Sequence, residues 1–226
     1  MTLENPVNKL PYAVIVLALL ILGIELVLQL AELGVVGGPQ GVGWRLIAME
    51  DYAFSARVFE LTVVQQQWSV DLLKRFVTYP FINAELTQVA FCAALTLALG
   101  KFVGEYFGEV KVLVIYLFAS IFGALIYGVV VSHNFPLFGG FTPVFGLIGA
   151  YTYALWLRLG QAGKNQLLAF RLIGMLLLIQ LIFGLIFGSS SAWIAELAGF
   201  FAGFGSAVLL APGGWAAFLV RMRQRA

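Results

Sequence analysis

Charge, cysteine and histidine are all scarce in this 226-residue chain. Charged residues make up 11% of it, where a soluble domain carries about 25%. So little charge cannot wet the whole surface of a molecule this size, which excludes an ordinary soluble globule. One cysteine, Cys92, rules out an internal disulfide and any thiolate metal set. One histidine, His133, gives no metal-ligand spacing. It falls in a short connection, where a solvated or interfacial side chain is expected. There is no glycine-rich phosphate loop, heptad run or tandem repeat. A net charge of +2 is too small and too dispersed for nucleic acid. No cofactor and no metal are expected.

What is abundant is apolar: 62% of the residues are hydrophobic. A membrane-crossing helix needs roughly 20 apolar residues. Six runs qualify: 11–31, 78–100, 111–132, 140–158, 168–188 and 192–211. The first is too long for a signal-peptide core and lacks a small-residue cleavage site, and Pro11 suits a helix start. The expected fold is an all-α integral membrane bundle, a single domain over 1–226 with the bilayer as its solvent.

Charge orients the bundle. With both termini cytoplasmic, the inside segments hold Lys9, Lys101, Lys111, Arg158, Lys164, Arg171, Arg221, Arg223 and Arg225. The outside ones hold Arg45, Arg57, Lys74 and Arg75, so most of the 13 basic residues lie inside. Residues 32–77 make an outside connection too long for an ordinary helix link. Trp44, Tyr52, Phe54, Phe59 and Trp68 lie in it among scattered charges. That mixture predicts a partly helical loop lying in the membrane interface.

The order of motifs resembles the rhomboid intramembrane protease family. The second run opens Thr78-Tyr79-Pro80-Phe81-Ile82-Asn83, followed by Gln88 and Phe91-Cys92. This is similar to the family's Thr-Tyr-x-Phe-Leu-His and His-x-x-x-Asn. The run ends with Gly100, Gly104, Glu105 and Gly108, and Glu105 resembles the family's structural glutamate. Phe145-Gly146-Leu147-Ile148-Gly149 and Ala195-x-x-x-Gly199-x-x-x-Gly203 resemble the two active-site helices. Trp44-Arg45 looks like the family's first-loop Trp-Arg pair. The resemblance covers roughly 78–211 and implies six spans and a bacterial inner-membrane location.

It also implies that the chemistry is missing. The family's nucleophilic serine aligns with Phe141, and its histidine base with Glu196. The oxyanion histidine and asparagine fall on Gln88 and Cys92, and a further histidine on Asn83. Acyl transfer needs a hydroxyl beside a base and donors aimed at the developing oxyanion. Phe141 has no nucleophilic atom, and its bulk would fill the space a peptide carbonyl must enter. Thr142 is the nearest hydroxyl, but it points about 100° away on a helix, and Pro143 is expected to hold it extended. A Cys92–His133 pairing places its two groups on different segments.

Glu196 is the polar group left at the former active site. A carboxyl inside a span faces the bundle interior or a wet cavity. Gln88 is the expected partner, as a clasp between the second and sixth runs, and recognition of a client's polar patch is the functional alternative. Glu25 is expected to hydrogen-bond internally, with the first loop as candidate partner. Gly199-x-x-x-Gly203, Gly184-x-x-x-Gly188 and Gly100-x-x-x-Gly104-x-x-x-Gly108 are expected to let helices approach closely. The resemblance implies a pseudoprotease that binds single-pass or other membrane-protein clients between the second and fifth helices. The alternative is an active serine-type endopeptidase with a non-standard site. No inverted repeat supports a transporter.

Overall fold

Pro11, with φ already fixed and no N–H to lose, heads α1 (Tyr12–Glu32). The computed structural model describes residues 10–132, 135–187 and 190–211. Among these, helices are the regular structure, and the one β contact is an isolated bridge between Phe54 and Leu137. Three short helices follow α1: α2 (Trp44–Tyr52), α3 (Ala56–Phe59) and α4 (Val70–Thr78). The long ones are α5 (Leu86–Phe107), α6 (Glu109–Val130), α7 (Phe141–Gln161), α8 (Arg171–Phe187) and α9 (Ala192–Leu210).

Four helices, α1, α5, α6 and α9, are long and apolar enough to cross a membrane. The other two expected spans differ for physical reasons. Helix α7 runs 21 residues but carries Thr142, Thr152 and Tyr153, and every residue from Thr142 to Ala150 is buried. A helix jacketed by protein has no need of a lipid-facing apolar surface. Helix α8 spans 17 residues, near the lower limit of about 17 for crossing.

The helix ends fall into two groups. At one end the Tyr12 N–H donates to the Glu109 carboxylate at 3.2 Å, and the Lys111 Nζ donates to the Leu210 carbonyl at 2.8 Å. The Arg158 guanidinium lies 5.4 Å from the Tyr106 ring centre at the same end. The starts of α5, α7 and α9 lie at the other end, with the short helices.

Between helices in lipid there is no hydrophobic drive, so backbone proximity and van der Waals contact hold the bundle. Helix α7 is closest to α9. A Cβ on Gly203 would strike the Gly146 backbone, and one on Gly199 would strike the Thr142 carbonyl oxygen. Gly100 receives Val14 of α1, and Gly104 receives Pro11 just ahead of it. Gly108 does not continue that stripe: its φ is +100° and its Cβ direction is open, so it turns the chain from α5 into α6. Gly188, like His133 and the Arg221–Arg225 tail, lies outside the described residues.

The 32–77 segment contains the short helices α2 and α3 and most of α4. Phe59 fills the notch at Gly128 of α6. Phe54 packs edge-on to Phe76, ring centres 4.7 Å apart, and tilts against Tyr79 at 6.4 Å. Its outer face leaves Trp68 73% and Val70 81% exposed.

Helix α5 begins at Leu86 rather than at 78. Pro80 is set in a 3-10 turn over Tyr79–Phe81, and Ile82 and Glu85 are extended. The Tyr79 carbonyl accepts from the Ile82 N–H at 3.3 Å, closing this turn, and from the Gly139 N–H at 3.0 Å.

Candidate functional site

The site lies where α7 begins. Residues 137–140 arrive as a strap stitched down on three sides. Leu137 and Phe54 exchange backbone hydrogen bonds of 2.6 and 3.0 Å. The Gly139 N–H donates to the Tyr79 carbonyl, and the Gly140 N–H donates to Asn83 Oδ1 at 3.4 Å. Gly139 has a φ of +97°, and a Cβ there would collide with the Gln88 amide. Glycine suits the left-handed backbone here.

Phe141 is the first residue of α7 and is half-buried. Thr142 is 2% exposed. Its methyl abuts Gly123 of α6, its carbonyl oxygen abuts Gly199 of α9, and its hydroxyl lies in hydrogen-bonding reach of Tyr79. Thr142 is helical, not extended. Pro143 is the third residue of α7, where the N–H has no helical partner to lose, so the helix runs through it. The Tyr79 hydroxyl donates to the Ser120 carbonyl at 2.9 Å. Cys92 is fully buried beneath Gly140, whose Cβ direction points to the sulfur at 3.3 Å.

Asn83, Gln88, Cys92, Phe141, Thr142 and Glu196 therefore gather around one helix start. The two backbone donors that precede Phe141 are engaged by Tyr79 and Asn83. Gln88 Oε1 accepts from the Ala84 N–H at 3.2 Å, closing the turn that leads into α5. Asn83 Nδ2 is buried and makes no hydrogen bond.

Glu196 is 8% exposed in the first turns of α9. Its partner is Gln180 of α8, not Gln88: the Gln180 amide donates to Glu196 Oε2. Gln88 is occupied with its own turn, and the strap glycines lie over it. The polar clasp thus joins α8 to α9. Gln180 had a sequence signal, as the one amide between Leu172 and Phe187.

Trp44 and Arg45 begin α2 at the other flank. The Trp44 ring rests on Gly37, 2.7 Å from where a Cβ would stand. Arg45 donates to both oxygens of Glu25, at 2.8 and 3.1 Å, to Glu32 at 2.5 Å, and to the Asn83 carbonyl at 2.8 Å. Its acidic partners, Glu25 first, hold the guanidinium pKa above its ordinary value. Arg45 thereby ties α1 and α2 to the residue that caps the strap. Glu105 is exposed near the end of α5, away from the α7 start. Among the described residues no group of histidine, cysteine and carboxylate side chains is placed to hold a metal ion.

A family model for the rhomboid domain matches residues 71–213. Trp44 and Arg45 lie before the matched segment. No curated protein matches the chain. The match takes in α5 to α9, the strap, and every position gathered at the α7 start. With the apolar helices, it makes the chain an integral membrane protein. The chain belongs to the rhomboid family.

Proposed function

We propose that this rhomboid-like membrane protein is proteolytically inactive and binds the transmembrane segments of client proteins. The observation that carries the reading is the occupancy of the α7 start. Phe141 heads the helix, and the N–H groups of Gly139 and Gly140 donate internally rather than into a cavity. A serine-type mechanism needs a nucleophile and free donors where an oxyanion would form. On this reading Phe141, Glu196, Gln88, Cys92 and Asn83 are degenerate catalytic positions. The endopeptidase alternative rests on Thr142, which is buried against α6 and α9.

The same reading places six spans in the membrane, α1 and α5 to α9, with both termini cytoplasmic and a bacterial inner membrane as the setting. The 32–77 segment then lies in the outer interface, supported by its exposed Trp68 and Val70. Clients dock at the opening between α5 and α8. Both helices carry exposed apolar side chains, Phe91 on one and Leu178 and Leu181 on the other.

The test is photo-crosslinking in native membranes from residue 91 or 181. Adducts with membrane-spanning proteins are expected from these positions and absent from Val110, an exposed apolar residue at the opposite end of the bundle. Equal labelling from all three positions would contradict a dedicated docking face.

A further inference from the structure

Within the client-binding reading just given, we infer that Glu196 recognises client segments that carry an N–H donor side chain within the membrane, and that Gln180 occupies the carboxyl while no client is seated. A carboxylate offers about four lone-pair sites. Among the described residues no Lys or Arg forms an ion pair with Glu196, and one amide, that of Gln180, donates to it. An acid within a membrane span calls for a donor or a cation. The group lies four residues into α9, about 6 Å along the helix from its outer end.

Gln180 is a displaceable partner because of the helix that carries it. Apart from the turn leading into it, α8 touches α7 only lightly, while α7 and α9 pack along their length. Met175, Leu178, Leu181 and Leu185 of α8 are exposed. When a client's amide or ammonium takes the carboxyl, one donor replaces another, and α8 moves off with little packing to give up. An all-apolar client has nothing to offer Glu196 and must leave the Gln180 bond in place. The acid therefore discriminates membrane segments by polarity. The juxtaposed pair is a polar latch on the docking face.

The test uses the full chain in liposomes with synthetic single-span Leu/Ala peptides, read by energy transfer. The two peptides are identical except for Asn or Leu about one turn below the outer boundary. The Asn peptide is expected to bind the wild type more tightly by roughly twofold to threefold, since one donor exchanges for another, and Gln180→Leu by up to roughly tenfold, the range for one full interhelical hydrogen bond in lipid. Glu196→Leu should abolish the difference. Gln180→Leu, which frees the carboxyl, should widen it, and this variant decides the matter if Glu196→Leu does not fold. Equal binding of both peptides to the wild type and to Gln180→Leu overturns the latch and leaves client binding standing. Binding of neither peptide overturns both.

Discussion

Arg45 grips Glu25 with a two-pronged fork, Nη2 donating to Oε1 at 2.8 Å and Nη1 to Oε2 at 3.1 Å. The Glu25 side chain is 4% exposed and the Arg45 side chain 11%. Removing one partner of such a pair strands the other charge away from water. Arg45→Ala is therefore expected to destabilise the fold by about 3 kcal/mol. Arg45→Met combined with Glu25→Leu should recover most of that loss, because the stranded charge is gone. Thermal unfolding in detergent checks both. An unchanged melting temperature for Arg45→Ala would show that the fork is not structural.

The approach of α7 to α9 predicts a position-specific penalty. Gly203→Ala places a methyl against the Gly146 backbone, which cannot rotate away. The expected cost is about 3 kcal/mol, at the upper end for overpacking. Gly199→Ala, against the Thr142 carbonyl, should behave alike. Gly205→Ala, two residues on with nothing within 4 Å, should be neutral or slightly stabilising through helix propensity. Unfolding measurements on the three variants separate local collision from a general intolerance of α9.

Tyr79 supports the strap from below. Tyr79→Phe keeps the ring beside Phe54 and removes the hydroxyl, with its bond to the Ser120 carbonyl and its contact with the Thr142 hydroxyl. A loss of about 1 kcal/mol is expected. Since the Tyr79 carbonyl still accepts from Gly139, hydrogen exchange at the Gly139 amide should rise only modestly in this variant. Wholesale exposure of that amide would mean that the hydroxyl, not the backbone, anchors the strap.

The long helices were legible in the sequence because lipid demands long apolar runs. The ends of α1, α6 and α9 lie within two residues of the hydropathy limits. The start of α5 was not legible, because residues 78–85 are apolar enough to continue a run. What stops them is Pro80 and the carbonyls of Tyr79 and Asn83, committed to Gly139 and Arg45. The close α7–α9 contact was legible as Gly199 and Gly203, since spacing by four fixes a helix face. The Glu196 partner was misread. Gln88 and Gln180 are both amides in apolar runs, and only the fold reveals that one closes its own turn. Pro143 was misread too: as a restrictor of Thr142, where its place in the first turn of α7 makes it harmless.

The proposed function requires an α7 start without proteolytic activity. Its most direct test is cleavage of a fluorescent single-pass rhomboid substrate in liposomes, with an active rhomboid run beside the wild-type chain. No cleavage by this chain is expected while the active enzyme cleaves. None is expected from Phe141→Ser either, because the neighbouring acid is Glu196 and the backbone N–H groups of Gly139 and Gly140 already donate to Tyr79 and Asn83. Cleavage by the wild-type chain that disappears in Thr142→Ala would contradict the proposed function.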